Sequence, residues 1–288
     1  MQINYELNEI PVENQNLFDE PFFRRFSQRK HLVKLSENVY KGYSFPTFYK
    51  DIRFSTIAFL CSFDKAKELM PHPKIKPVKM TRDKAAIIFS CYEYKTVKEI
   101  EPYNEVGFLI PVLVNSVFKM PVIPLLMSNY FRKFGYHVIS MPVTSLESKI
   151  RGDKMWGLPK QINNVNFDAI DSVFSCTIKE ETGEDIVKLK VPMSGIPKHL
   201  DDTTWLYTQK ENGKKYKSQT WFKGDFMVNK FTRQLLKPTD SGSQFIEIGD
   251  SKTGQLLKSL EIENHPFQTR YSHNLTSAFD LPHVKLQI

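Results

Sequence analysis

The sequence predicts a mainly β protein of the α+β kind, with antiparallel strands and a few short helices. Three observations carry this. Apolar runs are short and rich in β-branched or aromatic residues, turn formers bound them at close intervals, and long amphipathic helical stretches are scarce. The runs are Phe54 to Leu60, Ala85 to Tyr94, Val106 to Val114, Val173 to Lys179 and Ile186 to Val191. Between the first two, Ser62 is placed to cap a short helix over Phe63 to Met70. Phe63, Ala66 and Met70 fall near one face of that helix, and Pro71 stops it. Three turns read as hairpins: Glu180 to Asp185 with Gly183, Asn212-Gly213, and Asp250 to Gly254. An antiparallel barrel or sandwich with minor helices satisfies this pattern.

A chain of 288 residues with 41% hydrophobic content can bury a substantial core. No Ser- or Gly-rich stretch, low-complexity tract or repeat divides it, so one domain over residues 1–288 is expected. The three cysteines, Cys61, Cys91 and Cys176, are odd in number and widely spaced. That argues against a disulfide framework or a zinc site and suits a reducing compartment. The first residues have neither a basic start nor an apolar core, so a standard secretory signal is not expected and a cytoplasmic location is.

The net charge of +8 and pI near 9.1 require a nucleic-acid reading to be weighed. Its best local support is Lys210, Lys214, Lys215 and Lys217 around the Asn212-Gly213 turn. No helix-turn-helix, zinc spacing or RNA-binding aromatic motif accompanies them, so no specific nucleic acid is expected. An acidic small molecule is an equally good partner for a basic protein. Gly183 and Gly254 form no phosphate-binding motif, and no Ser-His-Asp arrangement stands out.

The most informative residue is Lys160, in the run Trp156-Gly157-Leu158-Pro159-Lys160-Gln161. A free lysine has a pKa of about 10.4, so at neutral pH only about one amine in 2,500 is unprotonated, a handicap of roughly 4 to 5 kcal/mol. Desolvation by Trp156, Leu158 and Pro159 would disfavour the ammonium form, and the free amine would then attack a carbonyl to give a Schiff base. The ordinary alternative is a solvated lysine beside a Gly-Leu-Pro turn.

The run resembles the signature of the acetoacetate decarboxylase family, in which a Trp-Gly-(aromatic or Leu)-Pro-Lys-Lys segment follows a glycine-opened stretch and its first lysine forms the imine. Gly152 stands at the opening glycine. Ser44-Phe45-Pro46 followed by Arg53 is similar to the family's amino-terminal pattern. Tyr103 to Val112 resembles its Glu-bearing strand, and Ser272-His273 with Asp280-Leu281-Pro282 its closing segment. The resemblance runs from about Ser44 to Pro282 and implies a closed, cone-like β-barrel with the lysine inside. It implies no metal or organic cofactor and a homo-oligomer.

By resemblance, Lys160, Glu105 and Arg53 are the catalytic candidates. Glu105 would shuttle a proton and Arg53 would hold a carboxylate. Trp156, Leu158, Gln161 and Ser90 are the substrate-binding candidates. The sequence also departs from the pattern. Gln161 replaces the second lysine, so the like-charge neighbour that activates the amine in acetoacetate decarboxylase is missing, and burial or another cation must serve. Asp153 and Lys154 replace the usual Arg-Glu pair. Ser90 falls where a second glutamate is expected, and nearby Glu93 has the opposite strand parity. A ketone condensed with Lys160 would lose either carbon dioxide or a proton into the same iminium. The first expectation is therefore decarboxylation of a β-keto acid, acetoacetate or a bulkier analogue. The second is an aldolase-dehydratase, and the third a catalytically lapsed member that binds a hydrophobic carbonyl ligand.

Two segments fall outside the family-like frame. Residues 1–43 form an extension, with Phe22-Phe23-Arg24-Arg25-Phe26 as an amphipathic patch suited to wrapping the barrel or a neighbouring subunit. Residues 114–135 form an apolar insertion containing Phe118, Met120, Val122, Ile123, Leu125, Leu126, Met127, Tyr130 and Phe131. Lys119, Pro121 and Pro124 interrupt it, so membrane contact is not expected. A subunit contact or core extension is the first reading of it, and a lid over an enlarged pocket the second.

Overall fold

In the computed structural model, residues 1–288 are described except 82, 117–120, 127–130, 132, 211, 237–243, 283 and 286–288. The described strands are β1 (Arg29–Lys34), β2 (Tyr40–Phe45), β3 (Thr47–Ser62), β4 (Ile75–Pro77), β5 (Lys84–Val97), β6 (Tyr103–Val114), β7 (Phe134–Val143), β8 (Lys160–Ile170), β9 (Val173–Glu180), β10 (Asp185–Pro192), β11 (Ile196–Gln209), β12 (Lys215–Lys230), β13 (Ile246–Ile248), β14 (Pro266–Phe279) and β15 (Val284–Lys285). The helices are short: α1 (Phe63–Glu68), α2 (Ile123–Leu126), α3 (Leu146–Trp156) and α4 (Lys252–Ser259).

Seven strands close on themselves in the order β7, β11, β12, β14, β3, β5, β6 and back to β7. Most neighbours are antiparallel, as expected for strands joined by short turns. β7 is the exception, pairing in parallel with both β11 and β8. Parallel neighbours need a crossover, and α3 supplies the one between β7 and β8. From there β8 runs outward into an antiparallel arm with β9, β10 and β13.

That arm explains why several barrel strands read as continuous apolar runs. Along β6, Tyr103, Leu109 and Leu113 join the inner core, while Val106, Phe108, Ile110, Val112 and Val114 join a second core shared with Val165, Phe174, Val187 and Leu189 of the arm. Every residue of β6 is buried as a result. A strand covered on both faces loses the polar half of its alternation.

The five strand runs and the Ser62-capped helix lie where the sequence places them, and the Gly183 and Asn212-Gly213 turns close the β9–β10 and β11–β12 hairpins. The Asp250 to Gly254 hairpin is corrected. Ser251 caps α4, its side chain accepting from Gly254 N at 3.1 Å. Gly254 is needed there for close packing, because a Cβ would lie 2.4 Å from Gly249 O. Leu257 and Leu260 then enter the outer core one turn apart.

The extension folds back on the barrel. Phe18, Phe22 and Phe23 form a small buried cluster with Phe48 and Ala278, and Arg25 makes a two-pronged ion pair with Asp201. Within the insertion, Val122, Leu125 and Phe131 pack against the inner core. Phe118, Lys119, Met120, Met127 and Tyr130 lie outside the described residues. Among the described residues, no helix is long and apolar enough to cross a membrane.

Candidate active site

The site is built on α3, and the local sequence explains that helix. Ser145 caps it, accepting from Ser148 N at 3.2 Å. Gly157 ends it in the left-handed region at φ 63°, a conformation that favours glycine. Glu147, Ser148, Arg151, Gly152 and Trp156 are buried along one face, the spacing of a helix lying on a wall. The chain then turns through Leu158-Pro159 and delivers Lys160 as the first residue of β8, beside Met141 of β7.

Lys160 points into the barrel. Its Nζ lies 2.5 Å from Glu105 Oε2 and donates to Ser148 Oγ at 2.8 Å, and the residue is 8% exposed. Its stem crosses Gly152, where a Cβ would come within 2.6 Å of both Cδ and Cε. Burial lowers the amine's pKa. The Glu105 charge and hydrogen bond oppose that shift, and the nearby Arg151 guanidinium adds to it. Arg151 thus supplies a cation in place of the missing second lysine. It comes from the helix and not from the adjacent position.

Glu105 sits on the inward row of β6, opposite Tyr92 of β5, and Tyr94 donates to its Oε1 at 3.4 Å. Burial keeps the Tyr94 and Tyr103 phenols well above their ordinary range, so they stay protonated hydrogen-bond donors. Around these groups lies a small cavity of about 60 Å³. Tyr49, Tyr92 and Tyr94 line one part of it, and Leu109, Met141, Leu206 and Phe279 another. Trp156 forms a fixed wall, stacked on Phe279 at 4.6 Å with its Nε1 donating to Asp280 O at 2.7 Å. Among the described residues, the lining includes none from the 114–135 insertion.

Of the residues nominated from the sequence, the structure brings together Lys160, Glu105, Trp156 and Leu158 at one cavity. Gln161, the next residue on an alternating strand, is exposed and does not line that cavity; it borders an outer basin that Leu158 and Lys160 also line. Ser90 is buried on β5 but is not among the cavity's described lining residues.

Arg53 is not brought to Lys160. Its neighbours Ile52 and Phe54 point into the inner core, so Arg53 faces the arm, paired with Glu93 at 2.6 Å and lying over the Phe174 ring. Parity decides this, because β3 carries apolar residues on both faces and the sequence does not reveal which is inside. Sequence reasoning missed Tyr49, Ser148 and Arg151. The signal for the latter two was the Ser145 cap and Gly157 stop that frame α3.

Fold and site together define a β-barrel protein with an enclosed lysine–carboxylate pair at the foot of its crossover strand. The profile of the acetoacetate decarboxylase (ADC) family matches residues 35–230, and the chain belongs to that family. Among solved structures, it is similar to an acetoacetate decarboxylase from Legionella pneumophila subsp. pneumophila str. Philadelphia 1, at 14% identity and a TM-score of 0.54 over 84% of this chain and 87% of the other. It is also similar to an acetoacetate decarboxylase-like enzyme from Sphingomonas wittichii RW1, at 12% identity and 0.53 over 94% and 98%. A third likeness is to the enduracididine biosynthesis enzyme MppR, at 10% identity and 0.53 over 82% and 86%. At these identities the likeness is one of fold. No curated protein matches the sequence.

Proposed function

We propose that this protein is a Schiff-base-forming lyase that decarboxylates a β-keto acid through an imine on Lys160. The observation that carries the reading is the enclosure of Lys160 Nζ between Glu105 and Ser148 at an apolar cavity. Burial favours the free amine, which attacks the substrate ketone to give a carbinolamine. Glu105 is within reach to pass a proton to the departing hydroxyl, and water leaves as the iminium forms. The bond between the α-carbon and the carboxylate then breaks, carbon dioxide departs, and the electron pair moves through the α-carbon to the iminium nitrogen as an enamine. Protonation of the enamine carbon regenerates the iminium. Addition of water releases the ketone and restores the amine.

Borohydride reduction in the presence of candidate β-keto acids, followed by peptide mass mapping, tests the first half. A mass addition at Lys160 is expected, and its absence across a broad panel would leave only a binding role. Release of carbon dioxide tests the second half. An aldolase-dehydratase would use the same iminium. It would give the trapped lysine and a condensation product without carbon dioxide.

A further inference from the structure

The cavity has a second buried cation that no carboxylate among the described residues contacts directly. Arg151 is 1% exposed and makes no ion pair among the described residues. Its Nη1 donates to Thr47 Oγ1 at 3.4 Å and its Nη2 to Tyr49 OH at 3.2 Å, while Nε has no partner. The Tyr43 and Trp156 rings lie 5.2 and 5.5 Å from the guanidinium carbon. Glu147, one helical turn earlier, favours the guanidinium through its charge but makes no ion pair with it: its Oε1 accepts from Lys41 Nζ at 2.9 Å and from Tyr43 OH at 2.8 Å.

Hydroxyls and ring faces satisfy part of a guanidinium's hydrogen bonding but carry no negative charge. A buried cation left so is costly unless an anion joins it. A carboxylate is the planar two-oxygen acceptor that a guanidinium fork matches. Arg151 lines the same small cavity as Lys160, and Leu109, Met141, Leu206 and Phe279 make part of its wall apolar. That combination suits one carboxylate with a short apolar remainder and disfavours a dianion.

We propose that Arg151 is the specificity-determining residue of this site, holding the single carboxylate of a short-chain ligand inside the barrel. This rests on the reading of the cavity given above, but not on imine formation. A monocarboxylate with no carbonyl should therefore also bind, and should block the imine.

Calorimetric titration of the full chain with isovalerate and with its neutral isostere isovaleramide tests this. The wild type is expected to favour the carboxylate by at least about tenfold. Arg151→Gln should lose that preference. The double variant Lys160→Gln with Glu105→Gln, which removes the neighbouring pair together, should keep it. Three results would each overturn the proposal: equal or undetectable binding of the two ligands to the wild type at millimolar concentration, a preference surviving in Arg151→Gln, or a preference lost in the double variant. If Arg151→Gln does not fold, the wild type and the double variant still decide. Failed borohydride trapping with the carboxylate preference intact would sink the lyase reading and leave this one standing.

Discussion

Lys160 lies across Gly152, and the contact leaves no room for a side chain: a Cβ on the glycine would sit 2.6 Å from the lysine's Cδ and Cε. Gly152→Ala therefore has to displace the stem that aims the amine. Borohydride trapping at Lys160 is expected to slow at least about tenfold, with a stability loss of about 1–3 kcal/mol from overpacking. Normal trapping in this variant would show that the amine does not need its present position.

The ionisation of Lys160 balances opposing influences, and each can be removed. Burial lowers the pKa, Arg151 acts in the same direction and Glu105 against it. The rate of imine formation with a reactive aldehyde should rise with pH through the amine's titration. Its midpoint should move to lower pH in Glu105→Gln and to higher pH in Arg151→Gln. The sign for stability follows from the same shift. With the folded pKa below the ordinary value of about 10.4, the unfolded chain binds more protons between the two, so Lys160 makes stability rise with pH across that window. Denaturant titrations of the wild type and Lys160→Gln should differ in that slope, and an inverted difference would contradict the assignment.

Removing one member of the Lys160–Glu105 pair should cost more than removing both. Lys160→Met alone leaves a buried carboxylate unpaired and should destabilise by about 3–5 kcal/mol. The double change with Glu105→Leu should be near neutral or stabilising by up to about 4 kcal/mol. A double-mutant cycle by chemical denaturation measures the difference, and simple additivity would mean that the two groups do not interact.

Arg53 and Glu93 face the arm, each with a side chain one-fifth exposed. Arg53→Met is expected to lose about 1–3 kcal/mol of stability, because it leaves the largely buried Glu93 carboxylate without its partner. Trapping at Lys160 should stay within about twofold of the wild type. A drop of tenfold or more would return Arg53 to the chemistry.

How much the sequence reveals depends on whether a residue's role is set locally. Lys160, Trp156 and Leu158 are legible because one short run carries both the amine and its apolar surroundings. Glu105 is legible only through the resemblance of Tyr103 to Val112 to the family's Glu-bearing strand. The Ser62 cap and the Gly183 turn are likewise short-range. Arg53 fails because its side depends on which face of β3 the arm covers, a fact fixed by residues more than a hundred positions away. Asp250 to Gly254 fails because a Ser-x-x-Gly cap and a hairpin turn use the same residue types. Arg151 stays hidden because its environment is assembled from Tyr43, Thr47 and Tyr49 on distant strands.

Strand β6, enclosed on both faces, carries Glu105, Gly107 and Leu109 of the cavity's lining. Each of these residues is backed by the outer core, so a change in the cavity wall is also a change in the scaffold. Among the described residues, substrate preference in this chain would diverge through exchange of side chains within the wall, in steps small enough for the barrel to survive.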